Sequence, residues 1–227
     1  MTKVTDSLQR FIFENTPVRG NIVDLTNTFQ LALNKQHLPA GLKRALGELM
    51  AASALLTATL KMNGSLVLQI QGKGILKLLV VECTSEFGIR ATAKWKGDVG
   101  DEQTLFDLIE HGQFVITLDP KDGGQTYQGI VPIEGDDIST ILENYMLRSE
   151  QIDTKIWLCC DGNSAAGMLL QKLPDTMNQV IQSEESIEQD LDAWNRVGHL
   201  ADTISDEELL HLPTETLINR LFHEEDV

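Results

Sequence analysis

Three cysteines, five histidines and a glycine-flanked lysine are the residues of this sequence best suited to chemistry. Cys159 and Cys160 are adjacent within a β-prone run, 154–160. Neighbours on a strand point to opposite faces, so these two thiols cannot close on one metal ion. Cys83 stands alone in another strand-like run, and all three suit buried apolar thiols. His37, His111, His199, His211 and His223 have no metal-ligand spacing with cysteine or with one another. Gly72-Lys73-Gly74 lacks the third glycine and the following helix of a phosphate-cradling loop; the β-prone run 75–81 makes it a hairpin connection. Gly162-Asn163-Ser164-Ala165-Ala166 faintly resembles a nucleophile elbow, but no long helix follows and no His–acid partner can be assigned, so it reads as a turn. Asp136-Asp137 precedes a helical pattern, where negative charge suits the dipole, and Glu224-Glu225-Asp226 lies at the end of the sequence.

None of these groupings makes an enzyme, and no cofactor or metal site is expected within these residues. The rival reading is an enzyme acting on a small ligand in a cleft of an α+β domain. It needs a convergent polar pocket with perturbed titratable groups, and the sequence offers no such cluster.

Charge narrows the partners further. The 227 residues carry 34 acidic and 18 basic side chains, for a net charge of -16. Such a chain repels phosphate backbones and anionic lipid, so neither nucleic acid nor membrane is expected. The acid is unevenly placed: from Glu184 onward 13 acidic residues meet only Arg196 and Arg220, a local net of -11. The longest apolar stretch, 49–60, is too short to span a bilayer. With no export signal and an odd number of cysteines in a chain rich enough in apolar residues to fold without disulfides, the expected location is cytoplasmic.

The elements that must position these residues follow from periodicity. Residues 8–24 read as extended, punctuated by Asn15-Thr16-Pro17. Leu25, Phe29, Leu31 and Leu33 suit a short helix capped by Asp24 or Thr26. Leu42, Leu46, Leu49, Ala52, Leu56 and Leu60 form one broad face of a long helix over 42–60. Strands are expected over 65–71, 75–81, 87–95, 114–118, 126–132, 154–160 and 165–172, with helices over 104–110 and 137–148. Helices and strands mix without strict βαβ alternation, which gives an α+β fold with a mixed, largely antiparallel sheet.

After Pro174 the composition changes. The expected division is a core domain over 1–174 and an acidic helical linker region over 175–227, with 175–186 as its polar lead-in. Ser186 with Gln189, and Ser205 with Glu208, make plausible capping boxes, and Pro213 opens a last helix. Ile187, Leu191, Trp194, Leu217, Leu221 and Phe222 form the apolar side of these helices. Helices this short draw their stability from packing, so they must dock. Those six residues are the candidate covering surface, able to uncover apolar area when released. Repulsion between their acidic outer faces lowers the cost of release.

Several runs together resemble the bacterial 33-kilodalton redox-regulated heat-shock chaperone family. They begin with Phe13-Glu14-Asn15, Val18-Arg19-Gly20 and Leu56-Thr57-Ala58-Thr59-Leu60-Lys61. Leu68-Gln69-Ile70-Gln71-Gly72, Tyr127-Gln128-Gly129-Ile130-Val131 and Tyr145-Met146-Leu147-Arg148-Ser149-Glu150-Gln151 continue the order. Ala165-Ala166-Gly167-Met168-Leu169-Leu170-Gln171, Leu212-Pro213 and Arg220-Leu221-Phe222-His223-Glu224-Glu225 complete it. The resemblance implies an ATP-independent holdase that binds unfolding client proteins under oxidative or heat stress, usually as a homodimer. It also implies a C-terminal redox-switch domain in which Cys-x-Cys and Cys-x-x-Cys hold zinc until oxidation forms disulfides. Neither motif occurs here and the sequence stops at Val227, so that zinc domain is expected to be missing from this chain and the holdase core to act without its switch.

Overall fold

The computed structural model describes residues 5–14, 16–100, 103–173, 184–225 and 227. The extended N-terminal run folds back on itself as β1 (Ser7–Ile12) and β2 (Val18–Asp24), an antiparallel pair. Of the expected turn, Asn15 lies outside the described residues. At the end of β2, Asp24 Oδ1 accepts hydrogen bonds from the Thr26 backbone N–H (3.2 Å) and hydroxyl (2.9 Å), turning the chain into α1 (Thr26–Leu33).

The long helix α2 (Ala40–Thr59) departs from the one-faced pattern. Fourteen of its residues are buried, on every side, because it packs against two sheets at once. A helix apolar all round is a buried helix. Its small residues allow the close approach: a Cβ at Gly47 would overlap Cys160 Sγ and the Phe29 ring.

Five strands build the first sheet in the order β5-β4-β3-β6-β7, all antiparallel. They are β3 (Gly64–Gly72), β4 (Leu76–Thr84), β5 (Ile89–Trp95), β6 (Gly112–Pro120) and β7 (Tyr127–Pro132), with α3 (Leu105–Ile109) before β6. The β3–β4 turn is the expected hairpin. Its Lys73 and Gly74 N–H groups are taken by the Ile109 and His111 carbonyls, so they are not aimed at a phosphate.

Asp137 caps α4 (Ile138–Tyr145), accepting from the Thr140 N–H at 2.6 Å. The helix then widens into a π-turn, Met146–Glu150, that ends on left-handed Gln151. Beyond it, β8 (Thr154–Cys160) and β9 (Ala165–Lys172) join the first hairpin in a four-stranded antiparallel sheet, ordered β1-β2-β9-β8. The β8–β9 connection is the expected turn, tied by Asp161 Oδ1 to the N–H groups of Asn163 and Ser164.

The α+β expectation therefore holds, with two antiparallel sheets instead of one and α2 between them. The last three helices are α5 (Glu184–Ala201), α6 (Asp206–His211) and α7 (Thr214–Phe222). The Ser205–Glu208 capping box is formed in full. Ser186 does not stand at a helix start as expected, because α5 starts at Glu184 and Ser186 lies inside it; most of the expected lead-in, 175–183, lies outside the described residues.

Candidate functional site

The four-stranded sheet has two apolar faces, and β9 feeds both. Ala165 and Leu169 point inward to the central core around α2. Ala166, Met168 and Leu170 point outward into a second cluster. A near-continuous apolar run such as 165–170 is the signature of a strand buried on both sides. From the neighbouring strands Phe11, Val18, Ile22 and Cys159 share the outer face, with Phe13 just past β1.

Over this face lie the three acidic helices. They contribute Trp194, Val197 and Ala201 from α5, Leu209 and Leu210 from α6, and Leu217, Leu221 and Phe222 from α7. The centre is an aromatic group of three. The Phe222 ring stands edge-on to Phe13 at 4.9 Å and lies 6.0 Å from Phe11, while Phe11 and Phe13 are 5.7 Å apart. Gly20, directly opposite Phe11 on β2, makes this possible, since a Cβ there would run into the Phe11 ring.

Four of the six sequence-predicted residues meet in this cluster: Trp194, Leu217, Leu221 and Phe222. Leu191 does not, being 50% exposed. At 3.6 residues per turn it falls about 120° from Val197 around the helix, so Val197 continues the buried stripe in its place. The Ile187 side chain lies outside the described residues. The outer face of β9 and the phenylalanines of the first hairpin were missed by helical spacing; the signal for them was the unbroken apolar run 165–170.

Polar ties hold the cover more lightly than its apolar underside does. Lys155 Nζ meets Asp202 at 2.8 Å, and the Cys159 thiol faces the Asp206 carbonyl at 3.8 Å. The closer pairs, Arg196 with Glu225 and Arg220 with Glu208, stay within the cover and brace its own helices. Partly exposed ion pairs such as Lys155–Asp202 add about 1 kcal/mol or less.

At one edge a cavity of about 300 Å³ opens between cover and body. Glu48, Asp137, Glu143 and Asp206 line it, a convergence absent from the sequence reading. Burial, then the negative charges of Asp206 and Asp137, push Glu48 up to about 7, with Arg44 opposing. Burial also raises Glu143, whose Oε1 accepts from the Ile156 N–H at 2.7 Å. Asp137 is committed to capping α4.

The thiols divide as alternation requires. Cys159 lies under the cover and Cys160 in the central core, although they are neighbours in sequence. Burial raises the pKa of Cys83, and that of Cys160 to about 12, the opposite of what makes a thiolate ligand or nucleophile. Among the described residues no group of three or more His, Cys, Asp or Glu side chains is arranged to hold a metal. The zinc that the resemblance implies does not fit these cysteines.

Comparison with known proteins agrees with this architecture. The model of the family described as Hsp33 protein matches residues 6–227. The chain belongs to the Hsp33 family. It is 61% identical to the 33 kDa chaperonin of Methylobacillus flagellatus, over 99% of this chain and 74% of that relative. It is 49% identical to that of Chromobacterium violaceum, over 98% and 72%. A crystal structure of the Thermotoga maritima 33 kDa chaperonin superposes with a TM-score of 0.78 at 20% identity, covering 96% of this chain and 75% of that one. It shares the fold. Membership in the Hsp33 family supports a chaperone function, and no described helix is long and apolar enough to cross a membrane.

Proposed function

We propose that this Hsp33 family member is a holdase, capturing unfolding polypeptides on the outer face of the four-stranded sheet, without ATP, when α5–α7 lift from it. The supporting observation is the separation of the two apolar clusters by that sheet. Lifting the cover uncovers Phe11, Phe13, Ile22, Met168 and Leu170, yet it breaks no strand ladder and leaves the packing of α2 in place. Each Å² of client surface then buried yields roughly 25 cal/mol before association costs. The local net charge of -11 from Glu184 onward favours release through mutual repulsion, opposed by the Lys155–Asp202 tie, and the net charge keeps client complexes dispersed. Trp194, Leu217, Leu221 and Phe222 act as cover; Leu191, already exposed, is placed to touch clients directly. The reading extends to a cytoplasmic homodimer with no resident cofactor in these residues.

Two measurements on one sample test it. Light scattering of a heat-denatured client reads capture, and alkylation of Cys159, resolved from Cys160 and Cys83 by peptide mapping, reads opening of the cover. Cys159 labelling is expected to rise together with suppression of aggregation, with Cys160 still protected. Because no thiol here fits a metal set, peroxide is expected to be unnecessary. Suppression with Cys159 fully protected, or only after peroxide, overturns the proposal; no suppression and no labelling means a permanently docked scaffold.

A further inference from the structure

On the inner face of the same sheet, away from the cover, Arg19 of β2 stands directly opposite Gln171 of β9. Here the central core leaves a cavity of about 130 Å³. Leu56 from α2, Leu60 just past its end, Leu66 of β3, Ile116 and Leu118 of β6, and Met146 form its apolar wall. Four of the sequence runs that carry the family resemblance meet at this place. They are those containing Arg19, Leu56 to Leu60, Tyr145 to Glu150, and Gln171. Docking of the cover accounts for Val18, Met168 and Leu170 within these runs, but not for Arg19, Gln171 or the two helical runs.

Arg19 is the unusual component. In a chain with 34 carboxylates its guanidinium has no acidic partner within ion-pair distance among the described residues. It is gripped instead by a neutral amide. Nε and Nη2 both donate to Gln171 Oε1, at 3.1 and 2.6 Å. Gln171 is 1% exposed and is itself fixed, its Nε2 donating to Thr154 Oγ1 at 3.3 Å. Burial and the nearby charge of Arg10 both disfavour the Arg19 cation. An anion beside it relieves both effects, and the remaining N–H groups of the fork suit a carboxylate. The second charge in the lining, Glu150, has one oxygen tied, Oε1 accepting from the Tyr145 hydroxyl at 2.6 Å; its charge repels an anion, which confines a ligand carboxylate to the Arg19 side. The Tyr145–Glu150 bond closes the π-turn, a distortion that recurs at functional sites.

We propose that this cavity binds a short aliphatic carboxylate, its hydrocarbon among Leu56, Leu60, Leu66 and Ile116 and its carboxylate on Arg19. Two sources share that chemistry: a free branched or short-chain acid, and the terminal residue of a polypeptide ending in an aliphatic side chain.

The test is titration of the whole chain with 4-methylpentanoate, followed by calorimetry and by methyl shifts of the cavity leucines. The amine of matching length serves as control. Short peptides ending in leucine, with free and amidated termini, separate the two sources. Binding of the acid and not the amine is expected, and Arg19→Gln should weaken it about ten- to a hundredfold, the usual range for a charge-assisted hydrogen bond. Leu118→Phe, which fills the cavity and keeps Arg19, should abolish it; this second variant decides the matter if Arg19→Gln fails to fold. Equal binding of acid and amine, unchanged affinity in either folded variant, or no shift at millimolar acid overturns the proposal. The peptide arm assigns the source: tighter binding of the free-terminus peptide than of the acid points to chain ends, the reverse to a free acid.

Discussion

Replacing Phe222 by alanine separates a cover that opens as a unit from one fused to the body. The Phe222 ring is 2% exposed and contacts both Phe11 and Phe13. Truncating a buried phenylalanine costs about 3–5 kcal/mol. If α5–α7 dock as a unit, that loss falls on the docking equilibrium and leaves the central core alone. Three kcal/mol corresponds to roughly 150-fold in an equilibrium constant, up to the point where the cover is open most of the time. Amide hydrogen exchange resolved by peptide is the assay. Protection over 206–222 should fall about a hundredfold or more, while β3 and β6, which line the other cluster, keep theirs. Client capture should rise in parallel. Equal loss of protection in β3 and β6 refutes the reasoning, because it means the two clusters melt together; unchanged exchange in α7 refutes it too, because the aromatic contact then holds nothing.

Glu48→Gln should stabilise the chain in a pH-dependent way. The folded state raises this carboxyl from 4.5 to about 7, so it favours the protonated form. The penalty is absent below about pH 4.5, grows through the interval and is complete above pH 7. At 1.36 kcal/mol per pH unit its ceiling is on the order of 3 kcal/mol. Thermal melts should show the variant several degrees above the parent at about pH 8 and level with it at about pH 4; a gain at both values sinks the assignment. Gly20→Val should displace the Phe11 ring, costing about 1–3 kcal/mol as overpacking, with exposure of Cys159 to alkylation as the readout. Leu191→Ser should leave the melting temperature nearly unchanged, within about 0.5 kcal/mol; a large loss means this residue packs against something in solution.

Much of this fold was written in short-range pattern. The hairpin at Gly72-Lys73-Gly74, the Ser205 cap and the turn at Gly162-Asn163-Ser164 are local chemistry, and each appears where residue type and spacing place it. What pattern could not reveal is how many sides of an element are covered. The broad face on α2 is in fact a whole circumference, because a second sheet packs behind it. Likewise Leu191 and Trp194 look equivalent on a helical wheel, and only the position of the sheet decides which is buried. Glu48 was invisible for the same reason: a single glutamate among alanines and leucines becomes unusual only when α4 and α6 close around it. The thiol pair was the opposite case, since period-two alternation alone puts Cys159 and Cys160 on different faces.

The strand 165–172 carries a further consequence for how the chain reaches this state. Strands usually find their alignment because a slip by one residue would turn greasy side chains into water. Here both sides are greasy, so a slipped pairing forfeits little burial and that proofreading is weak. The alignment must be policed by shape and polarity. A side chain at 167 would strike Leu55 and Leu158, and the amide at 171 finds Arg19 and Thr154 only in the native pairing. Changes at Gly167 and Gln171 therefore belong with errors of assembly, showing first as lost soluble yield and slow or misdirected refolding.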